Sequence, residues 1–519
     1  MIKNYFKTIV RNLWRNIPHT SVNILGLALG ITCSLVLYLM ISYFSGFDKF
    51  QANYDKIYRV FTAVNTENGE RTYSPGMPSP LPDAMREEFP EIEKGVFIYS
   101  KYGKTLVGVE DEQNDLRYFE VRGSIIYAES AYFDVFTTKI VTGNPNPLLG
   151  PNKVVISSEL ARQYFQDRNP IGEILMLDKE VPLTVTAVIE EAPKNTAFPF
   201  AMLISYETIK KSEANSGWNN FEWGNQFYAI IDSEEKVRQV EKRLSDFTSK
   251  YYGENELSRT YNLQPFSELQ SDRRLGNYGP FVIAEGEYLS MILIALFMIT
   301  TACINFINLS TAMAIKRSKE VGIRKVLGSS RFQLMMQYLG ETFVVSGIAL
   351  LISIGLAEIL IVNLNVYLNI QIQISLLTDT ALQLFLLGLW LGVTILAGLY
   401  PSLVLSNYRP VQALKNLITT KNAGKFSLRR VLVVFQLTIS FIYVLGTIVL
   451  LRQLDFMRHS DPGFTTSGIV VLPIPEEDIT KSKSLKTELL QLNAVDKVSL
   501  SNALPLSVVT SATTIEVGG

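Results

Sequence analysis

Five long runs of apolar residues divide the chain, and each is separated from the next by a polar stretch. A bilayer core needs about 20 consecutive apolar residues in a helix, and every run is long enough. The runs predict five transmembrane spans, over residues 21–44, 285–315, 332–362, 382–405 and 431–451. The chain is therefore predicted to be a polytopic α-helical membrane protein.

Residues 45–284, between the first two spans, contain no apolar run of membrane length. Alternating apolar and polar residues predict strands, and helical spacing predicts short helices, in no regular order. The strands are expected at 57–64, 117–121, 153–156 and 183–189, and the helices at 80–88 and 158–165. Such a mixture is typical of an α+β domain.

The N-terminal residues 1–20 have apolar side chains, Trp14 among them, at helical spacing. Basic residues occupy another face of the same helix, at Lys3, Lys7, Arg11 and Arg15. This pattern predicts an amphipathic helix on an anionic membrane surface. The alternative is a positive flank for the first span, which needs no periodicity. Both interpretations place the N-terminus in the cytoplasm.

The first span has small or polar residues along its initial turns, at Asn23, Gly26 and Gly30. Small residues let a second membrane helix approach closely, so these three are predicted to be helix-packing positions. The spans also contain polar groups whose surroundings matter. An acid facing lipid is costly, so Glu341 and Glu358 in the third span are expected to face the bundle interior or an interface. Asn305 and Asn308 are interpreted as packing contacts rather than a substrate site.

Charge is distributed unevenly between the connecting segments. Residues 316–331 contain six basic residues and one acid, and residues 406–430 contain six basic residues and no acid. Residues 363–381 contain no Lys or Arg. Because basic segments remain in the cytoplasm, residues 45–284, 363–381 and 452–519 are predicted to lie outside it. We expect a multi-pass membrane protein whose large domain lies outside the membrane, in a periplasm if the cell has one.

Composition excludes several classes of function. A net charge of −1 gives no indication of nucleic-acid binding, and the two histidines are too far apart in sequence to suggest a metal site. Cys33 and Cys303 both fall within spans, where a free cysteine usually packs. Residues 423–427, AGKFS, come nearest to a phosphate-binding loop but lack its upstream glycine and adjacent hydroxyl. We expect no cofactor and no enzymatic activity, so any ATP hydrolysis would belong to a separate subunit.

The order span, strand, helix, strand occurs twice along the chain. It follows the first span, and it recurs after the fifth as GIVVLPI, a helix at 483–492 and AVDKVSLSNALP. A repeated unit indicates duplication. Residues 452–519 are therefore expected to begin a second extracytoplasmic domain, in a longer parent protein with eight spans.

Four stretches give the chain a family resemblance. They are RNLWRNIPHTSVNILGLALGI (11–31), YFDVFTTKIVTGNPNPLL with KVVISSELARQYFQDRNPIGEIL (132–175), RSKEVGIRKVLGSSRFQLMMQYLGE (317–341) and YPSLVLSNYRPVQALK (400–415). In this order they resemble the FtsX-like, MacB-type permeases of ABC transporters, in the long duplicated form found in Bacteroidetes. The resemblance implies that the outer domain is of the MacB periplasmic core type.

The resemblance also implies a coupling helix in the first cytoplasmic segment, which docks on a partner ABC-type ATPase. The helix would span about residues 318–327, and the family's motif would fall on Glu320, Gly322, Ile323, Arg324, Lys325, Leu327 and Gly328. Ile323 and Leu327 are four residues apart and share one helix face, which suits insertion into a groove. Arg324 and Lys325 would then meet acids on the ATPase. The alternative is that the basic residues only set the topology.

Two functions are compared on this basis. The first is a permease subunit that transmits ATP-driven motion of the ATPase to the periplasmic domain, in efflux, lipoprotein release or envelope regulation. A dimer of permeases and a periplasmic adaptor or lipoprotein are the further partners implied. The alternative is a membrane-anchored envelope interaction protein that acts without an ATPase. A secondary transporter fits less well, because the spans contain few charged groups.

Overall fold

The structure is a computed structural model, and it describes most of the chain. The described residues are 11, 17–65, 69–100, 104–110, 113, 115–122, 125–213, 217–218, 221–252, 259–407, 428–463, 468–472 and 479–501. Contacts divide the chain into a larger unit, Met1–Thr447, and a smaller one, Ile448–Gly519. The larger unit contains a helix bundle and a sheet domain.

Eleven α-helices are found in the described ranges and are numbered here in chain order. They are α1 (Ile17–Ser45), α2 (Leu81–Glu88), α3 (Tyr132–Val135), α4 (Ser158–Phe165), α5 (Lys210–Glu213), α6 (Glu234–Tyr252), α7 (Glu285–Val326), α8 (Arg331–Leu368), α9 (Thr380–Asn407), α10 (Leu428–His459) and α11 (Ile479–Leu489). Five of them, α1, α7, α8, α9 and α10, are long and apolar enough to cross a membrane. They lie over the five apolar runs of the sequence.

The strands of the described part form one sheet. They are β1 (Ile57–Asn65), β2 (Arg71–Ser74), β3 (Lys94–Ser100), β4 (Lys104–Glu110), β5 (Leu116–Arg122), β6 (Ile125–Ala128), β7 (Ile140–Gly143), β8 (Lys153–Ser157), β9 (Ile174–Leu177), β10 (Val181–Ile189), β11 (Met202–Ser205), β12 (Asn225–Ile230) and β13 (Arg259–Pro265). Their order is β13-β1-β12-β3-β6-β11-β8-β10-β9-β4-β5, with β2 beside β1 and β7 beside β10. The predicted α+β class is confirmed.

Most neighbouring strands are antiparallel, but two pairs, β8 with β10 and β6 with β11, are parallel. One apolar core contains Val60, Phe97 and Val154. Their chain neighbours on the same strands, such as Val96 and Val155, belong to a second core. Because successive residues of a strand point to opposite faces, the sheet is covered on both sides. The helices α2, α4 and α6 add Met85, Leu160 and Leu244 to the first core.

The bundle holds together through close approaches between α1, α7, α8 and α9. Gly30 of α1 lies so near α7 that an added Cβ would come within 2.6 Å of the Cβ of Ala302. The Ser34 hydroxyl donates to the Ala295 carbonyl at 3.0 Å, and the Ser353 hydroxyl donates to the Ala28 carbonyl at 2.9 Å. Interhelical hydrogen bonds and small residues at the contact are the usual means of holding membrane helices together.

The structure changes several expectations. Residues 316–326, assigned from sequence to a cytoplasmic loop with a coupling helix at about 318–327, are the last turns of α7. Lys, Arg and Glu favour helix, and the single Gly322 does not interrupt it. A Cβ added at Gly26 would meet no atom within 4 Å among the described residues, so the packing role of that glycine stays a prediction. The helix expected at 483–492 is present as α11. Residues 468–472 and 490–501 form no strand, because their backbones have no pairing partner among the described residues.

Some predictions lie outside the described residues. The predicted membrane-surface helix is one of them, and its Lys3, Lys7, Trp14 and Arg15 are not described. Arg11 of the same segment is helical and exposed. Residues 408–427 of the predicted cytoplasmic linker and residues 502–519 also lie outside the described ranges.

Candidate functional site at the tip of the helix bundle

The tip is the tight connection between α7 and α8, which spans residues Leu327–Ser330. The N–H of Ser329 donates to the Arg324 carbonyl, and the N–H of Gly328 donates to the Lys325 carbonyl. This pair of hydrogen bonds ends a helix when one residue adopts the left-handed conformation. Gly328 is that residue, with a φ of 95°. Glycine adopts that conformation without strain, which explains its presence in the motif.

The helix α8 begins immediately after the turn, with a reciprocal cap. The Ser330 hydroxyl accepts from the Gln333 N–H at 3.2 Å, and the Gln333 side chain accepts from the Ser330 N–H at 3.0 Å. A capping box of this kind satisfies backbone donors that would otherwise lack partners at the start of the helix. The tip is therefore a rigid corner between two long helices.

Three apolar side chains project from the last turn of α7 and the start of the connection. The exposed fractions are 51% for Ile323, 66% for Val326 and 80% for Leu327. Val321, in contrast, is buried with Leu334 of α8 and Leu405 of α9 in a small separate core. Ile323, Val326 and Leu327 form the apolar patch of the tip.

The basic residues of the motif are engaged within the bundle. The Arg324 guanidinium donates to the Gln337 side chain and to the Glu320 carboxylate, both at 2.6 Å. The Lys325 ammonium donates to the Ser406 carbonyl at the end of α9, at 2.7 Å. Burial, with Arg331 nearby, lowers the pKa of Lys325. These contacts hold α7, α8 and α9 together at the tip.

The structure therefore separates the seven motif residues by role. Ile323 and Leu327 are presented to the outside, as the sequence suggests. Arg324 and Lys325 lie against neighbouring helices, and Gly322 is buried. Sequence reasoning missed Val326, although Ile323, Val326 and Leu327 stand at the i, i+3, i+4 spacing of one helix face, a signal that could have found it.

A cavity of about 90 Å³ lies between α1, α7, α8 and α9 at the end of the bundle that includes the tip. Its lining includes His19, Asn23, Ser310 and Glu341. The side-chain oxygen of Asn23 is buried and has no hydrogen-bond partner within the described part of the chain. The structure places Asn23, a predicted packing position, at this cavity. Glu341 is buried in the bundle, as one of its two expected locations.

The other end of the bundle is tied to the sheet domain at several points. Asp48, just beyond α1, accepts from the Thr196 hydroxyl and from the Ala197 N–H. The Lys194 ammonium donates to the side chain of Asn369, at the end of α8, at 2.9 Å. Segment 190–200, between β10 and β11, thus contacts both α1 and α8.

The chain segment that leads into α7 is fastened from within the sheet. Arg59 of β1 is fully buried and donates to the Gly276 carbonyl at 2.8 Å. It also donates to the side-chain oxygens of Gln264 and Gln226. A few residues later in the chain, Arg273 pairs with Glu287 in the first turn of α7. The start of α7 is therefore attached to the sheet.

Comparison with known proteins agrees with this architecture. Residues 20–247 match the model of the MacB-like periplasmic core domain. Residues 292–410 match the model of the FtsX-like permease C-terminal domain. The first range contains most of α1 and of the sheet, and the second contains most of α7 and all of α8 and α9.

The individual relatives have low sequence identity to this chain. An ABC transporter permease, YknZ, of Bacillus subtilis is 22% identical over 49% of this chain and 61% of its own. The macrolide export ATP-binding/permease protein MacB of Bdellovibrio bacteriovorus is 24% identical over 50% of this chain and 38% of its own. The chain thus spans less than two thirds of the length of both.

A solved domain of a putative permease protein from Porphyromonas gingivalis aligns with 47% of this chain and 98% of that chain. Its sequence identity is 20% and its TM-score is 0.37, which is too low to support an argument.

Five membrane-length helices joined to an α+β domain define a multi-span membrane protein with a large domain outside the membrane. The two family matches, in their order along the chain, assign it more narrowly. The chain belongs to the FtsX-like, MacB-type permeases of ABC transporters.

Proposed function

We propose that this permease transmits ATP-driven motion of a separate ABC-type ATPase to its outer domain. The ATPase would dock on the apolar patch of the tip, on the cytoplasmic side of a bacterial inner membrane. The sheet domain would lie in the periplasm and act in efflux, lipoprotein release or envelope regulation. A dimer of permeases, with a periplasmic adaptor or lipoprotein, completes the proposed assembly.

The observation that supports this proposal is the continuity of α7 and α8. They contain 42 and 38 residues without interruption. At 1.5 Å per residue they are about 60 Å long, well beyond the thickness of a bilayer core. Both meet at the tip, and their other ends contact the sheet domain. A displacement applied at the tip would therefore be delivered to the domain by two rigid rods.

The apolar patch supplies a surface for docking. Ile323, Val326 and Leu327 occupy neighbouring positions at the end of a helix, which is the arrangement that an apolar groove accepts. Arg324 and Lys325 contribute differently from the sequence-based expectation, because their contacts are within the bundle. In this proposal they stiffen the tip rather than meet acids of the ATPase.

A substitution in the patch tests the docking. Leu327→Asp places a charge at the centre of a predicted apolar contact, so recovery of the ATPase with the tagged permease from native membranes should fall at least about tenfold. The matched control is Leu377→Asp, at a leucine that is 93% exposed in the connection between α8 and α9. The control should recover as much ATPase as the wild type.

Two outcomes would count against the proposal. If both variants recover the ATPase as well as the wild type does, the patch is not the docking site. If the wild-type chain itself recovers no ATPase from native membranes, the interaction protein that acts without an ATPase becomes the better account.

A further inference from the structure

Glu358 lies on the outward side of α8, among apolar residues. Ile359 and Leu360 follow it directly, with exposed fractions of 62% and 46%. The Glu358 side chain is exposed and has no hydrogen-bond or ion-pair partner among the described residues. Its surroundings differ from those of Glu341, the other acid of this span, which is buried within the bundle.

An outward-facing acid in a membrane span requires a physical explanation. Placing a carboxylate against hydrocarbon is unfavourable, and acids in membrane spans usually have a partner. The bundle interior, one of the two locations expected from sequence, does not contain Glu358. The exposure of Glu358 on the outward side of α8 agrees with the other expected location, an interface.

The residues around Glu358 form a regular seam along α8. The seam consists of Ile348, Leu351, Gly355, Glu358 and Val362, and all five are exposed. Their separations alternate between three and four residues. This is the spacing by which one helix packs along another with interlocking side chains.

Gly355 gives the seam room for a close neighbour. A Cβ added at Gly355 would meet no other atom within 4 Å, so the helix surface is open at this point. Gly355 is one turn before Glu358. Small residues at such positions allow a second backbone to approach, and a polar group in the same seam then fixes which partner is accepted.

We propose that this seam binds a transmembrane helix of a partner protein that has a Lys or Arg at the depth of Glu358. Charge complementarity selects this occupant. A second copy, related by a two-fold axis along the membrane normal and packed through the same seam, would set Glu358 against Glu358, and like charges in a medium of low dielectric repel. A lipid headgroup would not need the alternating spacing or the open glycine. The proposal does not depend on the docking of an ATPase at the tip.

Photo-crosslinking in native membranes tests the seam on the full chain. A benzophenone amino acid is introduced at Leu351 or Val362 on the seam, or at Leu360 as the control. Leu360 faces outward on the same helix but points away from the seam. The expected result is one protein adduct from the two seam positions and none from the control, with a Lys or Arg in a membrane span of the adduct protein.

The dependence on charge decides the result. Glu358→Gln should reduce the adduct yield by at least about tenfold, because the ion pair is lost in a medium where it is strong. Glu358→Lys should abolish the adduct, and changing the partner's basic residue to Glu should restore it. Both variants replace an exposed residue, and unchanged thermal melting in detergent will confirm that the fold is intact.

Each other outcome overturns the proposal. An adduct with a second copy of this chain would make the seam a dimer interface. An adduct with lipid alone would make it a lipid site. Three further results would rule out a partner helix with a basic residue. They are the absence of any adduct, an adduct equally strong at Leu360, and a protein adduct whose yield Glu358→Gln leaves unchanged.

Discussion

At the scale of single residues, buried charges mark the junction between the bundle and the sheet domain. Asp48 is 3% exposed and Arg59 is fully buried, yet neither has an oppositely charged side chain among its hydrogen-bond partners. Backbone groups, a hydroxyl and amide oxygens satisfy them instead. A buried charge held in this way is costly to leave unpaired, so it favours one arrangement of the segments that it joins.

Asp48 should make stability depend on pH. Burial raises its pKa from 3.8 to about 6, so the folded protein binds this proton more tightly than the unfolded chain does. Ionisation of Asp48 therefore opposes folding at pH 7, and the opposition fades as the pH falls through 6. As the pH is lowered from 7 to 4.5, the free energy of unfolding of the wild type should rise by about 2 kcal/mol relative to that of Asp48→Asn.

The measurement is the difference in melting temperature between wild type and variant, followed across that pH range in detergent. Asp246→Asn removes an exposed aspartate of α6 and serves as the control. If the difference in melting temperature between Asp48→Asn and the wild type stays constant with pH, the prediction is wrong.

The two glycines of α1 should respond differently to one added methyl group. In Gly30→Ala the new Cβ would clash with Ala302 and with the Met298 carbonyl 3.1 Å away. We expect this overpacking to lower the free energy of unfolding by about 1–3 kcal/mol. Gly26→Ala meets nothing and should be neutral or slightly stabilising. Melting temperatures of the two purified variants test this, and equal losses would be inconsistent with the α1–α7 contact.

At the scale of elements, the corner between α7 and α8 depends on a turn of only a few residues. The double hydrogen bond that ends α7 and the capping box that starts α8 leave little freedom between the helices. The contacts of Arg324 with Gln337 and of Lys325 with Ser406 add a third helix to the corner. The tip is thus stiff on both sides of the apolar patch.

Gly328→Ala should weaken this corner without changing any side-chain contact. An alanine at a φ of 95° is strained, and the cost should be about 1 kcal/mol. Gly286→Ala, in the first turn of α7, adds the same methyl group in ordinary helical backbone with nothing within 4 Å. Its melting temperature should not fall. If Gly328→Ala also melts at the wild-type temperature, the turn is less constrained than described.

At the scale of the whole molecule, the sequence predicts the membrane part better than the sheet. A membrane span can be recognised from about 20 consecutive apolar residues, and this local signal does not depend on any other part of the chain. The strands β1, β8 and β10 were predicted because they alternate or form compact apolar runs. Short strands such as β6 and β11 were missed, because four residues carry little pattern and the two strands pair across more than seventy residues of sequence.

The candidate site was predicted in part. The spacing of Ile323 and Leu327 predicted a shared helix face, and both side chains are exposed at the end of α7, while their docking role stays a prediction. The engagement of Arg324 and Lys325 could not be predicted, because Gln337 and Ser406 come close only when α7, α8 and α9 assemble. The outward direction of Glu358 has the same origin, since a single helix does not reveal which of its faces the bundle will cover.

The pairing of α1 with α7 has a consequence for the synthesis of the protein. These helices touch at Gly30 and Ala302, yet residues 46–284 separate them in the chain. The first and last strands of the sheet, β1 and β13, are also neighbours. During translation α1 is synthesised long before its partner α7. The sheet likewise lacks its edge strand until β13 has been made. Because α7 follows β13 after about twenty residues, the last strand of the sheet and the helix partner of α1 are synthesised almost together.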